Sequence, residues 1–356
     1  MAERGYGIAL ALSGGNALGA FQGGAYQALQ EFGLEPDWVV GCSAGAINGA
    51  LICGNPAEDR LARLHAFWQP AGTAAESPLP APQETARRTA AALLALGGRP
   101  GLFMPRRLLG RWFNPFGDHE PSSLYDSHPL AQTLESLVDF DRLNGAPPRF
   151  SAVAVDVETG EDVIYDTATH RIAADHVRAS CALLPIFPPV AIGGRLLADA
   201  GLSANLPLDT ILSDDAAEPL LCIAVDLLPL EAPRPNTLGD TITRAQDLVF
   251  ASQSRRALAA WQAIFDRSGD QARAVTILHL AYGDQAQEVS GKAFDYSPLS
   301  ARARWDAGHA AMRHALAGMP RLMRDRPKPG LTLYRPDDAA PDGLRTVRLP
   351  LAPVPG

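Results

Sequence analysis

The stretch Trp38-Val-Val-Gly-Cys-Ser-Ala-Gly-Ala-Ile-Asn-Gly-Ala-Leu-Ile-Cys53 carries the clearest structural signal in the chain. Residues 37–40 predict a short buried strand, Gly41–Gly45 a tight turn, and Ala46–Cys53 a helix of small residues. The turn has the form G-x-S-x-G, which between a strand and a helix is typical of a nucleophile elbow. Such a tight turn raises the Ser43 hydroxyl above the sheet, at the positive end of the following helix.

Two other interpretations of this stretch compete with a catalytic serine. A chain with 32 glycines contains G-x-S-x-G by chance, but the strand before Ser43 and the helix after it favour a nucleophile. The uncharged run Trp38–Ala57 is also nominally long enough to cross a bilayer. Its glycines and asparagines instead favour a buried strand, turn and helix.

A first strand–turn–helix unit precedes the elbow. Residues 7–12 (GIALAL) predict a fully buried strand, and 13–24 (SGGNALGAFQGG) predict a glycine-rich turn that leads into a helix ending at Phe32. Two such units in succession imply parallel strands with helices on both faces. Further strands are predicted at 150–155, 163–165, 196–198, 220–227 and 276–280, and further helices at 58–68, 244–265 and 298–316.

The predicted organisation is an α/β core with two additions. The core covers 7–210 and carries a cap-like insertion, 68–125, whose first part is rich in proline. Strands and helices over 211–324 pack on the core and end in a helical C-terminal region. Seven prolines among residues 325–356 predict an extended, partly disordered tail.

The composition is that of a globular protein. Of 356 residues, 47% are apolar and 20% are charged, which excludes disordered and collagen-like classes. Acidic residues outnumber Lys and Arg by 39 to 31, so the net charge is −8 and general nucleic-acid binding is disfavoured. Four cysteines without a C-x-x-C pair predict buried, reduced thiols and fit a cytoplasmic protein. The apolar run 8–12 is too short for a signal-peptide core.

The glycine-rich loop 13–24 has three interpretations. A phosphate or dinucleotide loop fails because the loop contains no Gly-Lys-Ser/Thr, and because Asp37 begins the second strand where a ribose-binding acid would end it. An oxyanion hole fits better, since the bare amides of Gly14 and Gly15 precede a helix and can bind a developing negative charge. The third interpretation is a tight turn without chemistry.

A serine nucleophile needs a base, and the chain offers two kinds. Three histidines come late enough for a Ser–acid–His triad: His279, His309 and His314. The triad fold, however, places its serine after more strands than the two that lead to Ser43. Asp199, at the end of a short apolar strand, is the other candidate, although such an aspartate also suits an Asx-turn cap. No H-E-x-x-H motif or Cys/His cluster predicts a metal.

Three blocks, in order, resemble the patatin-like phospholipase family. Ser13-Gly-Gly-Asn-Ala-Leu-Gly-Ala-Phe-Gln22 is similar to the oxyanion loop of the family, Gly41–Gly45 to its serine elbow, and Asp199-Ala-Gly201 to its D-G-[GA] block. The segment 296–316 further resembles a bacterial subgroup with an extra C-terminal region. The resemblance covers about 7–210 and continues more weakly to 316.

The resemblance implies a three-layer α/β/α fold with a mainly parallel sheet, a Ser–Asp dyad without histidine, and no cofactor or metal. Ser43 then becomes the nucleophile and Asp199 the base. The oxyanion hole falls to Gly14, Gly15 and Asn16, and structural roles in the motifs fall to Gly19, Gly41, Gly45, Ala200 and Gly201.

Three positions depart from the family pattern. Asn16 replaces the usual third glycine of the loop, and asparagine tolerates left-handed geometry. Leu18 replaces a basic residue, although the bacterial subgroup often has leucine here. Ala200 replaces a glycine of the Asp block; if that backbone needs positive φ, alanine is strained and the geometry of Asp199 is disturbed.

The expected function is a serine acyl-ester hydrolase of phospholipase A or lysophospholipase type, with a lipid acyl ester as substrate. One alternative is a soluble esterase or thioesterase that acts on a short acyl group. The other is a lipid-surface binding protein that lost turnover through the change at Ala200.

Residues 85–117 predict a contact with membranes. Six arginines and four large aromatic residues alternate here without an acidic residue, which suits the edge of an anionic bilayer. A cap that packs on the core, with solvated arginines, is the competing interpretation. We therefore expect a cytoplasmic protein that touches the inner face of the membrane peripherally.

Overall fold

The computed structural model of the chain describes residues 5–69, 83–106, 123–283, 285, 288–319, 328–340 and 342–351. The strands among these residues are β1 Gly7–Leu12, β2 Trp38–Cys42, β3 Met104–Pro105, β4 Tyr125–Asp126, β5 Arg149–Asp156, β6 Asp162–Asp166, β7 Val190–Ile192, β8 Arg195–Asp199, β9 Leu220–Asp226, β10 Ala274–Ala281, β11 Gly330–Pro336 and β12 Leu344–Thr346. The helices are α1 Ala20–Glu31, α2 Ala44–Cys53, α3 Arg60–Trp68, α4 Gln83–Gly97, α5 His128–Leu137, α6 Phe140–Gly145, α7 Ala174–Ser180, α8 Leu208–Leu212, α9 Leu238–Ser268 and α10 Pro298–Ala317.

A mainly parallel sheet forms the centre of the described structure. Its strand order is β12-β11-β10-β9-β1-β2-β5-β8-β7, and β6 pairs with β5. All neighbours from β11 to β5 in this order are parallel. The pairs β5–β6, β5–β8, β7–β8 and β11–β12 are antiparallel. The two predicted strand–turn–helix units thus place β1 and β2 side by side at the middle of the sheet.

Helices cover both faces of this sheet. On β1, Leu10 belongs to a core that includes Phe21 of α1 and Met312 of α10. The alternate residue Ala11 belongs to a second core that includes Leu258 of α9. Because successive strand residues point to opposite faces, the two cores are the two sides of one sheet. This confirms the predicted three-layer α/β/α fold.

Helices α1 and α10 approach each other closely through two glycines. A Cβ on Gly24 would lie 1.9 Å from the carbonyl oxygen of Trp305, and a Cβ on Gly308 would lie 1.9 Å from that of Phe21. Any larger residue at either position would separate the helices. The C-terminal helix is therefore packed against the N-terminal half of the chain as an integral layer of the fold.

Part of the predicted tail belongs to the sheet. Gly330–Pro336 pairs with β10 in parallel, and Leu344–Thr346 pairs with this added strand. Leu331 and Leu333 alternate into the core, where 5% and 0% of their surfaces are exposed. The expectation of an extended, partly disordered tail over 325–356 is thus wrong for β11 and β12, because alternating leucines outweigh the prolines. Residues 320–327, 341 and 352–356 lie outside the described residues.

Two arginines of the predicted membrane-facing insertion, Arg87 and Arg99, are buried. Arg87 forms ion pairs with Glu288 and Asp295 at 2.9 and 3.2 Å. Arg99 is buried, donates to the Phe67 carbonyl at 3.0 Å, and packs over an aromatic ring. The prediction that these two side chains face lipid is therefore wrong, and Phe103 is likewise buried. Arg88 is exposed, and Arg106 is half-buried and lies 3.7 Å from Asp126. The other predicted positions lie outside the described residues: Arg107, Arg111, Trp112, Phe113 and Phe116.

Helices of the described residues do not reach the length and apolar character that a bilayer span requires. The uncharged run Trp38–Ala57 divides into the core strand β2 and the buried helix α2. This agrees with the prediction of a buried strand, turn and helix.

Candidate active site

Ser43 alone connects β2 to α2. The strand continues through Cys42 and the helix begins at Ala44, so the turn is tighter than the predicted five-residue turn. Ser43 has φ 54° and ψ −121°, and it is one of two described non-glycine residues with positive φ. A non-glycine residue held in such a conformation costs roughly 1–3 kcal/mol and is characteristic of functional sites.

Two glycines give this turn the space that it needs. A Cβ on Gly41 would lie 2.3 Å from the Gly45 carbonyl oxygen, and a Cβ on Gly45 would lie 2.1 Å from the Leu12 carbonyl oxygen. Both obstacles are backbone atoms of the central sheet and its helix. The glycines of the G-x-S-x-G motif therefore allow β1, β2 and α2 to meet beneath the serine.

A second serine fixes the backbone of the elbow. The Ser43 amide donates to Oγ of Ser180 at 3.0 Å, and that hydroxyl donates to the Val153 carbonyl at 2.6 Å. Ser180 ends α7 and Val153 lies in β5, so the bridge joins the elbow to the neighbouring strand. It leaves the Ser43 hydroxyl to face the cavity described below.

Strand β8 brings a carboxylate to the same place. Asp199 ends β8 opposite Ala154 of β5 and is 3% exposed. Its Oδ1 accepts hydrogen bonds from the Gly201 amide at 2.7 Å and from the Cys42 thiol at 3.4 Å. Burial raises the pKa of Asp199 from 3.8 to about 6, although hydrogen bonds from Gly201, Ser43 and Cys42 each lower it. A carboxylate with such a pKa is a better proton acceptor near neutral pH than an exposed one.

Ala200 fits this geometry without strain. It begins the short 3-10 helix Ala200–Leu202 and is fully buried. The non-glycine residues with positive φ in the described part of the chain are Asn16 and Ser43, so Ala200 does not need the conformation that favours glycine. The replacement of glycine by alanine therefore leaves the approach of Asp199 intact.

The glycine-rich loop borders the serine with two available amides. The Gly14 amide donates to the Asn205 carbonyl at 3.0 Å, so the prediction that it helps to bind an oxyanion is wrong. Within the described residues the amides of Gly15 and Asn16 have no acceptor. Asn16 adopts the left-handed conformation, with φ 52°. These two amides, at the start of the 3-10 helix Asn16–Gly19 and of α1, can bind negative charge.

The C-terminal region holds this loop in place. The hydroxyl of Tyr296 donates to the Asn16 side-chain oxygen. The fully buried Arg304 of α10 donates to the Ala17 carbonyl at 3.1 Å and pairs with Glu288 at 2.7 Å. The candidate oxyanion loop is thus connected by side chains to residues nearly 290 positions later in the chain.

A polar chain fixes the other side of the loop. Asn48 of α2 donates to the Gly19 carbonyl and to the Gln22 side chain, both at 2.9 Å. Asn48 in turn accepts from the indole nitrogen of Trp68 at 2.7 Å. All three side chains are buried, so buried hydrogen bonds connect the loop to α2.

A cavity of about 360 Å³ opens over these groups. Ser43, Asp199, Gly15 and Asn16 lie in its wall. Most of the remaining wall is apolar, from Ile47, Leu102, Phe103, Leu130, Leu183, Ile186, Phe187, Leu228, Ile242, Phe250, Phe294 and Tyr296. An apolar pocket with a few convergent polar groups is the usual form of a ligand site.

The described histidines stand away from this cavity. None of them lines it, and His119 lies outside the described residues. His279 faces Asp226 at 3.6 Å, and His309 faces Glu31 at 2.8 Å. The described residues also contain no group of three or more His, Cys, Asp or Glu side chains suited to a metal ion.

The arrangement of elbow, carboxylate and loop agrees with the sequence comparison. The family model described as patatin-like phospholipase matches residues 10–212, which is more than half of the chain. The chain belongs to this family. A second family model, described as patatin phospholipase, matches residues 238–328. The matched C-terminal segment of this patatin-like chain includes Tyr296 and Arg304, which hold the loop.

Curated relatives share the patatin-like sequence over most of this chain. An uncharacterized NTE family protein of Mycobacterium tuberculosis is 25% identical over 342 residues, with 89% of this chain and 48% of that protein covered. Lysophospholipase NTE1 of Cryptococcus neoformans is 26% identical over 236 residues, with 66% and 12% covered. The chain therefore spans about half the length, or less, of these relatives.

Two solved structures are also similar to this patatin-like chain. VipD from Legionella pneumophila has a TM-score of 0.45 at 16% identity, with 88% of this chain and 67% of that chain covered. The type III effector protein ExoU has a TM-score of 0.38 at 15% identity, with 90% and 54% covered.

Sequence reasoning gave no role to several residues that contact the candidate nucleophile, the candidate base or the glycine-rich loop. Cys42 occupies the variable position before Ser43, and Ser180 lies 19 residues before Asp199. Tyr296 lies in the segment that resembles the bacterial subgroup. Their partners lie 137 to 280 residues away in sequence, so no local pattern indicates these contacts.

Proposed function

We propose that the protein is a serine acyl-ester hydrolase that acts on lipids, of phospholipase A or lysophospholipase type. The observation that carries this proposal is the strained Ser43 beside the buried Asp199, in the wall of an apolar cavity. Membership of the patatin-like phospholipase family supports the same reaction. The apolar wall favours an acyl chain over a short, water-soluble acyl group.

The first half of the proposed reaction acylates the serine. The Ser43 hydroxyl attacks the ester carbonyl carbon while Asp199 takes its proton. The negative charge that develops on the carbonyl oxygen is bound by the amides of Gly15 and Asn16. When the tetrahedral intermediate collapses, the ester bond breaks and the leaving alcohol takes the proton from Asp199.

The second half releases the acyl group. Water attacks the acyl carbon on Ser43 and gives a proton to Asp199, again through an oxyanion at Gly15 and Asn16. Collapse of this intermediate breaks the bond to the serine oxygen, which recovers its proton from Asp199. The products are a free fatty acid, a lysolipid or deacylated head group, and the original enzyme.

We also propose that the enzyme meets its substrate peripherally at the inner face of a membrane. The described part of the insertion supports this through its exposed apolar residues rather than its arginines. Leu93 and Leu96 on α4 are 64% and 78% exposed, and Met104 is 44% exposed.

Two variants test the catalytic proposal. Ser43→Ala should abolish labelling by a fluorophosphonate probe and hydrolysis of p-nitrophenyl esters, because it removes the nucleophile. Asp199→Asn should lower the rate by roughly 10²–10⁴, the usual contribution of a general base. The matched control Ser136→Ala, on exposed α5, should keep parental activity.

The chain length of the substrate distinguishes the lipid hydrolase from a soluble esterase. Esters from four to sixteen carbons, and release of fatty acid from lysophosphatidylcholine followed by mass spectrometry, should show a preference for long chains. If folded Ser43→Ala is labelled by the probe and hydrolyses esters as fast as the parent does, Ser43 is not the nucleophile. A parent that neither reacts with the probe nor cleaves any ester would favour a lipid-binding protein.

A further inference from the structure

The solvent-exposed side of α9 carries an apolar stripe. Leu238, Ile242, Ala245 and Val249 follow one another at spacings of four, three and four residues, so they share one side of the helix. Leu238, Ile242 and Val249 are 77%, 62% and 58% exposed, and Ala245 is exposed as well. Most buried residues of this part of α9 occupy the opposite side, and Phe250 lies between the two sides: Asp247, Ala251, Ser254 and Leu258 are opposite the stripe. Folding alone places the apolar side of a surface helix against the core, so an apolar stripe on the solvent side is not explained by folding.

The stripe is continuous with the wall of the catalytic cavity. Ile242, Gln246 and Phe250 succeed one another at spacings of four residues, and all three line the cavity. Ile242 therefore belongs to the exposed stripe and to the cavity wall. The exposed stripe and the cavity wall thus meet at this apolar side chain.

The segment 291–294 lies between α9 and α4, and α4 carries exposed leucines. Two residues of this segment, Lys292 and Phe294, line the cavity. The adjacent Gly291 amide donates to Oγ1 of Thr243 on α9 at 3.3 Å, and a Cβ on Gly291 would lie 4.0 Å from the Cβ of Ala91 on α4. The two helices thus flank this part of the cavity wall, and both present apolar residues to solvent.

We propose that the α9 stripe, Leu238, Ile242, Ala245 and Val249, is the surface by which this chain docks on a lipid bilayer. A helix with one apolar side can lie in the interface with that side among the acyl chains. The exposed Arg256, seven residues after Val249, lies on the same side and can contact lipid phosphates. The proposal rests on the proposed lipid hydrolysis, since it explains how the acyl chain reaches Ser43.

A second copy of the chain is a poorer occupant of this surface. A standard protein interface uses roughly 20–30 residues on each partner and buries about 800 Å² on each. The stripe offers four residues, and Leu248 beside it adds one more. A bilayer needs no shape complementarity, so a small apolar stripe can still bind there reversibly.

The test measures vesicle binding separately from catalysis. Ser43→Ala protein is sedimented with vesicles of phosphatidylcholine and phosphatidylglycerol, so that no lipid is hydrolysed. Adding Leu238→Asp with Val249→Asp should lower the bound fraction at least about tenfold, because two charges enter the apolar interface. The matched control, Val157→Asp with Leu351→Asp, adds the same charge at exposed apolar positions outside the stripe and should bind normally.

Activity measurements complete the test. With Ser43 intact, Leu238→Asp/Val249→Asp should hydrolyse the monomeric ester p-nitrophenyl butyrate at the parental rate but vesicle lipids at least about tenfold more slowly. Neither residue lines the cavity, and equal thermal melting of all variants confirms their fold.

The outcomes separate this proposal from the proposed function. Unchanged vesicle binding by Leu238→Asp/Val249→Asp overturns the docking surface and leaves the hydrolase proposal untouched. Vesicle binding that depends on the stripe, in a chain that cleaves no ester, supports the surface and overturns the hydrolase. A parent that ignores vesicles but forms dimers, which the same two changes dissociate, assigns the stripe to a second copy and overturns the proposal.

Discussion

The thiol of Cys42 donates a hydrogen bond to Oδ1 of Asp199 across 3.4 Å. This contact joins the residue directly before the candidate nucleophile to the candidate base, and both side chains are buried. Because a hydrogen bond to a carboxylate stabilises its charged form, the thiol lowers the pKa of Asp199 while burial raises it. Cys42 therefore holds the candidate base in place and opposes the effect of burial on its pKa.

Cys42→Ala should raise the pKa of Asp199 further above 6, because it removes this hydrogen bond and leaves the burial. Since the base acts when it is ionised, the acidic limb of the pH–rate profile should move to higher pH. The pH dependence of kcat/KM for a p-nitrophenyl ester measures this shift. Cys42→Ser keeps a donor and should retain a profile near that of the parent. An unchanged acidic limb in folded Cys42→Ala would show that the thiol does not tune Asp199.

The sequence predicted those parts of the site that depend on local pattern. The run of apolar residues in β1 and β2, and the glycines around Ser43, determine the elbow, because its close contacts are between neighbouring backbone segments. Asp199 was found as an acid at the end of an apolar strand. Its proximity to Ser43 depends on the antiparallel pairing of β8 with β5, which local pattern does not specify.

The wrong predictions arose where a distant partner decides the role of a residue. The Gly14 amide is occupied by the Asn205 carbonyl, 191 residues away, and no feature of the loop indicates this. Arg87 was expected on the surface because residues 85–117 contain no acidic residue, yet Glu288 and Asp295 form ion pairs with it in the interior. The prolines around β11 suggested a tail, although alternating leucines bury that strand.

The histidines test the choice between a Ser–Asp dyad and a Ser–acid–His triad. Single changes to alanine at positions 65, 128, 170, 176, 279, 309 and 314 should each retain most of the esterase activity, because none of these side chains lines the cavity. His119→Ala completes the series. Turnover is measured with a p-nitrophenyl ester, and circular dichroism checks the fold. Loss of about 10³-fold in one well-folded variant would point to a triad instead.

Tyr296 tests whether the C-terminal region organises the oxyanion loop. Tyr296→Phe removes the hydroxyl that donates to Asn16, and Asn16 contributes one of the two available amides. A typical hydrogen bond contributes about 0.5–1.5 kcal/mol, so kcat should fall roughly two- to tenfold while the protein stays folded. Tyr165→Phe, which alters a tyrosine that does not line the cavity, is the matched control. If Tyr296→Phe has the same kcat as Tyr165→Phe, the C-terminal region does not organise the oxyanion loop through this hydroxyl.

Asp199 should make the stability of the protein depend on pH in a defined direction. Its pKa is about 6 in the folded state and about 4 in an unfolded chain, so the neutral carboxyl is the form that suits burial. The resulting stabilisation is complete below about pH 4 and is lost as the pH rises through about 6.

Asp199→Asn stays neutral and avoids this loss. It should be more stable than the parent by about 2–3 kcal/mol at pH 8, and about equally stable near pH 3. Urea unfolding at both pH values measures the difference, and Asp270→Asn, at an exposed position, should change stability little at either. If Asp199→Asn has no advantage at pH 8, the carboxyl carries no raised pKa, and its burial does not prepare it to act as a base near neutral pH.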